Sequence, residues 1–220
     1  MSLRRAVGSA VGPGVSSAVR RLRDEIRIMN MHRRSLRKAQ RISSQGLRLN
    51  CGCGPVIKQG WINIDLFAPT ADLHLDLRRP LPFHDGVAAI IYSEHFFEHL
   101  EYPLETGAFL TESLRVLQRG GLFRVGVPDT EWPIIAYATG DERYFRLAQE
   151  RWHPSWCDTR MHNINYHFRQ GIEHKYAYDY ETLAKVLIQA GFSSVTRSEF
   201  DPACDSESRR VGTLYVEARK

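Results

Sequence analysis

A chain of 220 residues with 43% hydrophobic and 25% charged side chains has the composition of a soluble globular protein with one core. No apolar run approaches the roughly 20 residues that a membrane-spanning helix needs. Four cysteines are too few for a disulfide framework in a chain of this length. We therefore expect a cytoplasmic protein without a signal peptide.

The formal net charge of +5 is unevenly distributed along the chain. Residues 1–45 carry a net charge of +9, which leaves −4 on the body, residues 46–220. The positive charge therefore belongs to an amino-terminal extension, and a nucleic-acid partner is not expected for the body.

The extension carries an apolar residue at every third or fourth position, which predicts an amphipathic basic helix. These residues are Val15, Val19, Leu22, Ile26 and Met29. Such a helix is suited to packing on the body, to forming a homodimer with a second copy, or to peripheral contact with the inner face of a membrane. The sequence leaves all three open.

The body alternates between strand and helix patterns. Strands are predicted just before Gly52 and at 62–64, 71–77, 88–92, 122–127, 192–200 and 213–218, with clear helices at 104–118 and 180–190. Gly120 and Gly121 are expected to end the first of these helices. This order predicts an α/β domain with a doubly wound, Rossmann-like sheet of seven mostly parallel strands, whose ligands bind beyond the carboxyl ends of the strands.

A glycine turn directly follows the first strand, and an acid ends the second. Gly52 and Gly54 let backbone amides approach a ligand closely, while Asp65 is placed to hold a ribose diol. A dinucleotide fingerprint needs a third small residue where Ile57 stands, and no Gly-Lys-Ser/Thr sequence forms a phosphate loop. The turn therefore indicates a nucleoside site that differs from those for NAD and ATP.

Several motifs in register resemble the class I S-adenosylmethionine-dependent methyltransferases, and more narrowly a bacterial branch associated with glycan biosynthesis. The motifs are Leu49-Asn-Cys-Gly-Cys-Gly54, Gly60-Trp-Ile-Asn-Ile-Asp65, Ser93-Glu-His-Phe-Phe-Glu-His-Leu100, Arg115-Val-Leu-Gln-Arg-Gly-Gly121 and Val127-Pro-Asp129. The resemblance spans residues 46–220 and implies S-adenosylmethionine as the cofactor.

The resemblance also implies a set of cofactor-binding residues. Gly52, Cys53 and Gly54 would line the methionine portion and Asp65 would take both ribose hydroxyls. Asp76 and Leu77 would bracket the adenine, and Asn50 replaces the acid of the wider superfamily and is left a neutral hydrogen-bonding role. The complete expected set is Asn50, Gly52, Cys53, Gly54, Asp65, Leu66, Asp76, Leu77 and Ser93.

Methyl transfer to a hydroxyl requires a proton acceptor, for which His or a carboxylate is the usual choice. His95 and His99 follow the fourth predicted strand and Asp129 follows the fifth, so all three are candidate catalytic residues. If a helix starts near His95, the two histidines share a face with Glu98 one position round. A packing role for His99 and Glu98 is the alternative.

Residues 130–175 are expected to form an acceptor-binding insertion or lid, because they are rich in aromatic, His and Arg side chains. Aromatic faces suit a sugar ring, and arginine suits a phosphate or carboxylate on the same ligand. The spacings among His162, His167 and His174 match no compact metal motif, so no metal is expected. The candidate acceptor-binding residues are Trp132, Trp156, Arg160, His162, His167 and His174.

The sequence thus favours an S-adenosylmethionine-dependent O-methyltransferase for a saccharide or glycan intermediate. A methyltransferase for a lipid, a quinone or another small metabolite is the second hypothesis. The third is a non-catalytic partner of a glycosyltransferase, docked through the amino-terminal helix.

Overall fold

A mixed six-stranded sheet forms the centre of the protein in a computed structural model, which describes residues 13–42 and 44–220. The strand order is β2-β1-β3-β4-β6-β5. The strands are β1 (Leu47–Cys51), β2 (Ile62–Ile64), β3 (Ala88–Glu94), β4 (Leu117–Pro128), β5 (Ser194–Ser198) and β6 (Thr213–Arg219). The helices are α1 (Pro13–Ala39), α2 (Leu104–Val116), α3 (Glu131–Thr139), α4 (Glu142–Arg151), α5 (Arg160–Arg169) and α6 (Tyr180–Ala190).

The strand directions bring the carboxyl ends of five strands, all except β6, to one edge of the sheet. β1 pairs in parallel with β2 and β3, and β3 pairs in parallel with β4, whereas β6 is antiparallel to both β4 and β5. The register aligns Cys51 with Ile64 and Glu94 with Gly126. The residues that follow these strands therefore lie side by side, as expected for a ligand site in an α/β sheet.

The core lies between the sheet and its covering helices. Leu49, Ile91 and Phe123 of the sheet are fully buried, as are Phe109 of α2 and Leu187 of α6. A smaller cluster joins α3, α4 and α5 into a helical cap over the carboxyl edge; its members are Trp132, Ala136, Tyr144, Phe145, Ala148, Trp152 and Ile164.

The segment at 71–77 does not form the predicted seventh strand. β2 is three residues long, and the segment makes one bridge to it, between Ile64 and Leu73. On its other side, Ser35 Oγ accepts a hydrogen bond from the His74 amide at 2.8 Å and His32 Nδ1 accepts one from the Asp76 amide at 3.1 Å. Side chains of α1 thus satisfy amides that a further strand would otherwise bind.

Gly120 and Gly121 lie within β4 and do not end α2 as predicted. The β3–β4 register shifts between Ala88 and Ile90, so that residues 118–121 form a bulge. Gly120 has a φ of +71°, and a Cβ on Gly121 would come within 2.8 Å of the Gln118 carbonyl oxygen. The bulge needs both glycines. A pair of glycines after a helical pattern is also the usual signal for the end of a helix, which is why the sequence predicted one here.

The carboxyl-terminal half of helix α1 packs on the body. Ile28, His32 and Ala39 are buried, whereas Val19, Leu22 and Ile26 remain exposed. The helix thus packs through residues outside the predicted apolar face, of which only Met29 is half-buried among the side chains described, and a second copy or a membrane surface stays a prediction for that face. Val15 and Met29 of that face are described as helical, and residues 1–12 lie outside the described part of the chain. No helix among the described residues is long and apolar enough to cross a bilayer.

The His32 contact makes the attachment of α1 sensitive to acid. Burial lowers the pKa of His32 below its usual value. The charge of Arg79 lowers it further, and the charge of Asp76 partly opposes both effects. The neutral ring accepts a hydrogen bond from the Asp76 amide, and protonation of the ring would break it. This contribution to the free energy of unfolding is therefore fully present above pH 6.5 and is lost as the pH falls. We expect wild-type protein to lose about 1 kcal/mol more unfolding free energy than His32→Asn between about pH 8 and pH 5. Denaturant titrations at each pH measure this difference.

Asn is the matched variant because its Oδ1 occupies the place of Nδ1 without a titratable proton. Equal pH dependence of the two proteins would show that His32 does not carry the effect.

Candidate active site

A cleft of about 890 Å³ opens at the carboxyl ends of β1 and β2. We call it the glycine cleft and define it by Gly52, Asp65, Leu77 and Phe96. Of the expected cofactor residues, Gly52, Asp65, Leu66, Asp76 and Leu77 line it. Asn50, Cys53, Gly54 and Ser93 do not.

Gly52 and Gly54 are required for different physical reasons. Gly52 has a φ of +71°, and a Cβ there would lie 2.3 Å from Phe96 Cγ, so the aromatic ring occupies the space that a side chain would need. Gly54 has a φ of +50° with open space around it, so only its backbone conformation favours glycine. The turn therefore fixes both a chain reversal and the position of Phe96.

Asp65 holds the glycine turn from the end of β2. Its Oδ2 accepts a hydrogen bond from the Gly54 amide at 3.0 Å, and its Oδ1 accepts from the amides of Phe67 and Ala68, each at 2.8 Å. A carboxylate has about four acceptor positions. Asp65 thus retains room for about one ligand hydroxyl, fewer than the two that the resemblance implies.

Asp76 is engaged by arginines. Its carboxylate accepts hydrogen bonds from the Arg78 amide, from Arg78 Nε and Nη2, and from Arg79 Nε, over 2.8–3.2 Å. Burial raises the pKa of Asp76, but the hydrogen bonds from the arginines outweigh it and hold this pKa below its usual value. An adenine amine could use this acid only by displacing an arginine contact.

Asn50 and Ser93 lie beneath the cleft. Asn50 Nδ2 donates to the Val56 carbonyl at 3.0 Å and to Asn63 Oδ1 at 2.9 Å, which ties the loop between β1 and β2 together. Ser93 is fully buried in β3, and its hydroxyl has no hydrogen-bond partner in the described part of the chain. Both residues support the site from inside the protein.

A second pocket of about 250 Å³ lies between the helical cap and the ends of β3 and β4. We call it the aromatic cavity. Of the sequence candidates, His95, Asp129, Trp132, His167 and His174 line it. Further residues that were not predicted as site residues line the same cavity: Tyr144, Trp152, His153, Tyr166, Arg209 and Thr213.

Three predicted acceptor residues lie away from the aromatic cavity. Trp156 is 59% exposed, Arg160 forms an ion pair with Glu142, and His162 Nδ1 lies 2.8 Å from Asp158 Oδ1. The composition of 130–175 does not distinguish the helix faces that point outward from those that line the cavity. Trp152 and Tyr166 lie in that segment, whereas Arg209 precedes β6 and Thr213 begins it, far along the chain and with no comparable signal.

His95 faces protein groups with both ring nitrogens. It follows β3 with a φ of 52°, and its Nε2 lies 2.8 Å from Thr213 Oγ1, whose hydroxyl donates to the Arg209 carbonyl at 2.6 Å. This assigns the ring proton to Nε2 and leaves Nδ1 3.6 Å from Glu98 Oε1. Burial, with the nearby charge of Arg209, holds the pKa of His95 well below its usual value.

His167 offers a free nitrogen. Its Nδ1 lies 3.0 Å from the Tyr144 hydroxyl, while Nε2 is buried and meets no hydrogen-bond partner among the residues described. Burial lowers the pKa of His167 to about 3, so the ring is neutral near pH 7. Asp129 also lines the cavity; its Oδ1 accepts from the Glu131 amide at 3.0 Å and its Oδ2 lies 3.9 Å from Arg197 Nη2.

Glu98 lies between the two pockets and is buried with His99 and His174 around it. The Nε2 atoms of His99 and His174 are each 4.0 Å from Glu98 Oε1. Neither carboxylate oxygen forms a hydrogen bond within residues 13–42 and 44–220. Burial raises the pKa of Glu98 to about 8, and it lowers the pKa of His174 to about 4.

No family model matches this sequence, and a search of curated proteins finds no match. Solved structures resemble it at low identity. A possible exported protein from Bordetella parapertussis is 14% identical with a TM-score of 0.51, over 86% of this chain and 66% of that one. At this identity the likeness concerns the fold alone.

Two further structures are described as S-adenosylmethionine-dependent methyltransferases. One, from Archaeoglobus fulgidus, is 15% identical over 85% of this chain and 91% of that one, with a TM-score of 0.49. The other, from Thermotoga maritima, is 15% identical over 92% of this chain and 96% of that one, with a TM-score of 0.46.

The contact between Gly52 and Phe96 predicts unequal effects of two similar substitutions. Gly54→Ala should cost about 1–2 kcal/mol of unfolding free energy, since it only places a side chain in the left-handed region. Gly52→Ala should cost more, because its Cβ also overlaps the ring of Phe96. Denaturant unfolding of both variants measures the difference.

A double mutant separates the two terms for Gly52. Adding Phe96→Ala to Gly52→Ala should recover the excess cost, so the two changes should be strongly non-additive. Additive effects would contradict the assigned contact.

Proposed function

We propose that this protein is an S-adenosylmethionine-dependent methyltransferase whose acceptor is a hydroxyl of a small polar molecule, a saccharide or glycan intermediate. The observation that best supports this proposal is that two chemically different pockets open at one edge of the sheet and are both lined by the segment after β3. His95 lines the aromatic cavity, while Phe96 and His99 line the glycine cleft. Adjacent pockets of this kind suit a donor and an acceptor held for in-line transfer.

The charges of the glycine cleft favour S-adenosylmethionine over a phosphate-bearing nucleotide. Six carboxylates and two basic side chains line the cleft: Glu25, Asp65, Asp76, Glu101, Glu105 and Glu173, with Arg78 and Lys175. An acidic surface repels phosphates and attracts cations. S-adenosylmethionine has no phosphate, and when bound it supplies an electrophilic methyl group on a positively charged sulfonium.

The aromatic cavity supports a small acceptor with several hydroxyls. Its volume of about 250 Å³ lies below the roughly 300–1,000 Å³ of drug-sized ligand sites, which suits one ring or one end of a larger molecule. Trp132 and Trp152 provide aromatic walls, and Asp129 provides acceptors for hydroxyl groups. These are the groups from which sugar sites are built.

We assign the proton acceptor to His167. His167 lines the cavity, its buried Nε2 has no hydrogen-bond partner among the described residues, and its Nδ1 lies 3.0 Å from the Tyr144 hydroxyl. His95, one of the catalytic candidates from the sequence, is held between Thr213 and Glu98, so we assign it a positioning role. Asp129 is assigned to hold the acceptor.

A lipid or quinone acceptor is the second candidate, and one feature favours it. Ile134, Ile135 and Tyr137 of α3 are exposed on the helix that also carries Trp132 into the cavity. An apolar tail could lie along this outer face while its polar head enters the cavity. Dependence of turnover on added vesicles would favour this acceptor, and product formation of either kind would exclude a purely non-catalytic partner.

Calorimetric titration with S-adenosylhomocysteine tests the donor half of the proposal. We expect binding to the wild-type protein and no comparable binding of ATP or NAD. Asp65→Ala should weaken it by about 1–3 kcal/mol, through the lost hydroxyl contact and the released Gly54 loop.

Asp158→Ala removes an exposed acid of the cap and serves as the control. If the Asp65→Ala variant bound S-adenosylhomocysteine as tightly as the control, Asp65 would not contribute to cofactor binding.

His167→Asn tests the proton acceptor. For Nε2 to accept a proton, Nδ1 must carry the ring proton and donate to the Tyr144 hydroxyl oxygen; Asn keeps an amide donor near Nδ1 for this contact and removes Nε2. We expect turnover to fall about 10²–10⁴-fold, with the affinity for S-adenosylhomocysteine unchanged. The assay uses an acceptor found by screening nucleotide sugars and glycan fragments.

The control is His162→Asn, a histidine of the same helix that lies outside the cavity. If His167→Asn matched this control in turnover, His167 could not be the proton acceptor.

A further inference from the structure

Three potential ligands converge where the glycine cleft and the aromatic cavity meet. Glu98 and His99 belong to a short 3₁₀ helix after β3, and His174 follows α5. The ligand atoms of these three residues all lie within 4.8 Å of one another. The Lys175 amide donates to the Glu98 carbonyl at 2.8 Å, which holds the His174 segment against the 3₁₀ helix.

The hydrogen bonds of the two histidines orient their free nitrogens toward Glu98. His99 Nδ1 lies 3.1 Å from the Glu173 carbonyl oxygen, and His174 Nδ1 lies 3.0 Å from the His167 carbonyl oxygen. A carbonyl only accepts, so Nδ1 carries the proton in each ring and Nε2 of the neutral ring presents a lone pair. Metal-binding histidines are oriented by hydrogen bonds of this kind.

The Glu98 oxygens and the two Nε2 atoms are hydrogen-bond acceptors that face one another without a donor between them. Both Glu98 oxygens are buried and unpartnered among the described residues, although buried polar groups are nearly always hydrogen-bonded. Arg209, whose charge acts on Glu98, donates a hydrogen bond to the Glu94 carbonyl at 2.6 Å and not to Glu98. His95 Nδ1 also lies 3.6 Å from Glu98 Oε1, so one proton on Glu98 would serve one of three imidazoles, whereas a divalent cation would serve Glu98, His99 and His174 together.

We propose that Glu98, His99 and His174 bind a divalent transition-metal ion. Two imidazoles and one carboxylate are the ligand set of zinc and non-haem iron sites, whereas magnesium and calcium prefer all-oxygen sites. Ligands about 2.1 Å from one metal lie about 3.0–3.4 Å apart, so the 4.0 Å separations must shorten by about 0.6–1.0 Å when the ion binds. Three protein ligands leave a coordination position open.

The position of the cluster indicates what the open coordination position faces. His99 lines the glycine cleft and His174 lines the aromatic cavity. Resting on the proposed function, we infer that an acceptor oxygen occupies the open position, where a metal lowers the pKa of a bound hydroxyl. The ion-binding site itself does not depend on that function. Spacing did not reveal it, since Glu98 and His99 are adjacent and His174 is remote in sequence.

Titration of the metal-stripped full-length protein with Co²⁺ tests the site, because a bound Co²⁺ ion reports its ligands through visible absorption bands. We expect one Co²⁺ per chain, displaced by Zn²⁺. His174→Ala and Glu98→Gln should each weaken binding about tenfold or more. Glu98→Gln should remain folded, since its amide can donate to one imidazole.

His162→Ala is the matched control, an exposed histidine of the same cap, and should bind Co²⁺ as the wild type does. Far-ultraviolet circular dichroism and S-adenosylhomocysteine binding verify that each variant is folded, and neither depends on methyl transfer. Absence of Co²⁺ bands, or bands that persist in both His174→Ala and Glu98→Gln, would overturn the site. Equal loss in His162→Ala would assign the binding to surface histidines and would overturn it as well.

Discussion

The parallel pairing of β1, β3 and β4 is the constraint on which both pockets depend. Parallel strands bring their carboxyl ends to one edge, so residues distant in sequence become neighbours. Gly52 follows β1, Asp65 follows β2, His95 follows β3 and Asp129 follows β4. Each pocket is built from these ends, and the cap of α3, α4 and α5 closes the second one.

A network of buried charged side chains holds the segment before β6, which lines the aromatic cavity but does not follow a parallel strand. Arg124 of β4 is 1% exposed and pairs with Asp205, and Glu94 accepts hydrogen bonds from Ser206 and from the Tyr215 hydroxyl. Removing one partner of such a network leaves an uncompensated buried charge, which is strongly destabilising. The segment that it holds, with the start of β6, supplies Arg209 and Thr213 to the aromatic cavity.

Sequence patterns predicted the elements whose signal is local. The strand ending before Gly52, the run at 88–92 and the helix at 180–190 lie where their apolar patterns place them. The segment at 71–77 differs because α1, distant in sequence, supplies hydrogen-bond partners to its amides. The site shows the same division: the glycine turn and Asp65 were readable from spacing, whereas the network of Arg124 and the ligand cluster of Glu98 require the folded chain.

The central claim is that the glycine cleft holds the methyl donor with its reactive end toward the aromatic cavity. A crystal structure of the protein with S-adenosylhomocysteine tests it most directly. The account predicts the ligand between Gly52 and Asp65, with its sulfur directed toward the segment from Phe96 to Glu98. A ligand seated in the aromatic cavity, or an empty cleft at saturating ligand, would contradict it.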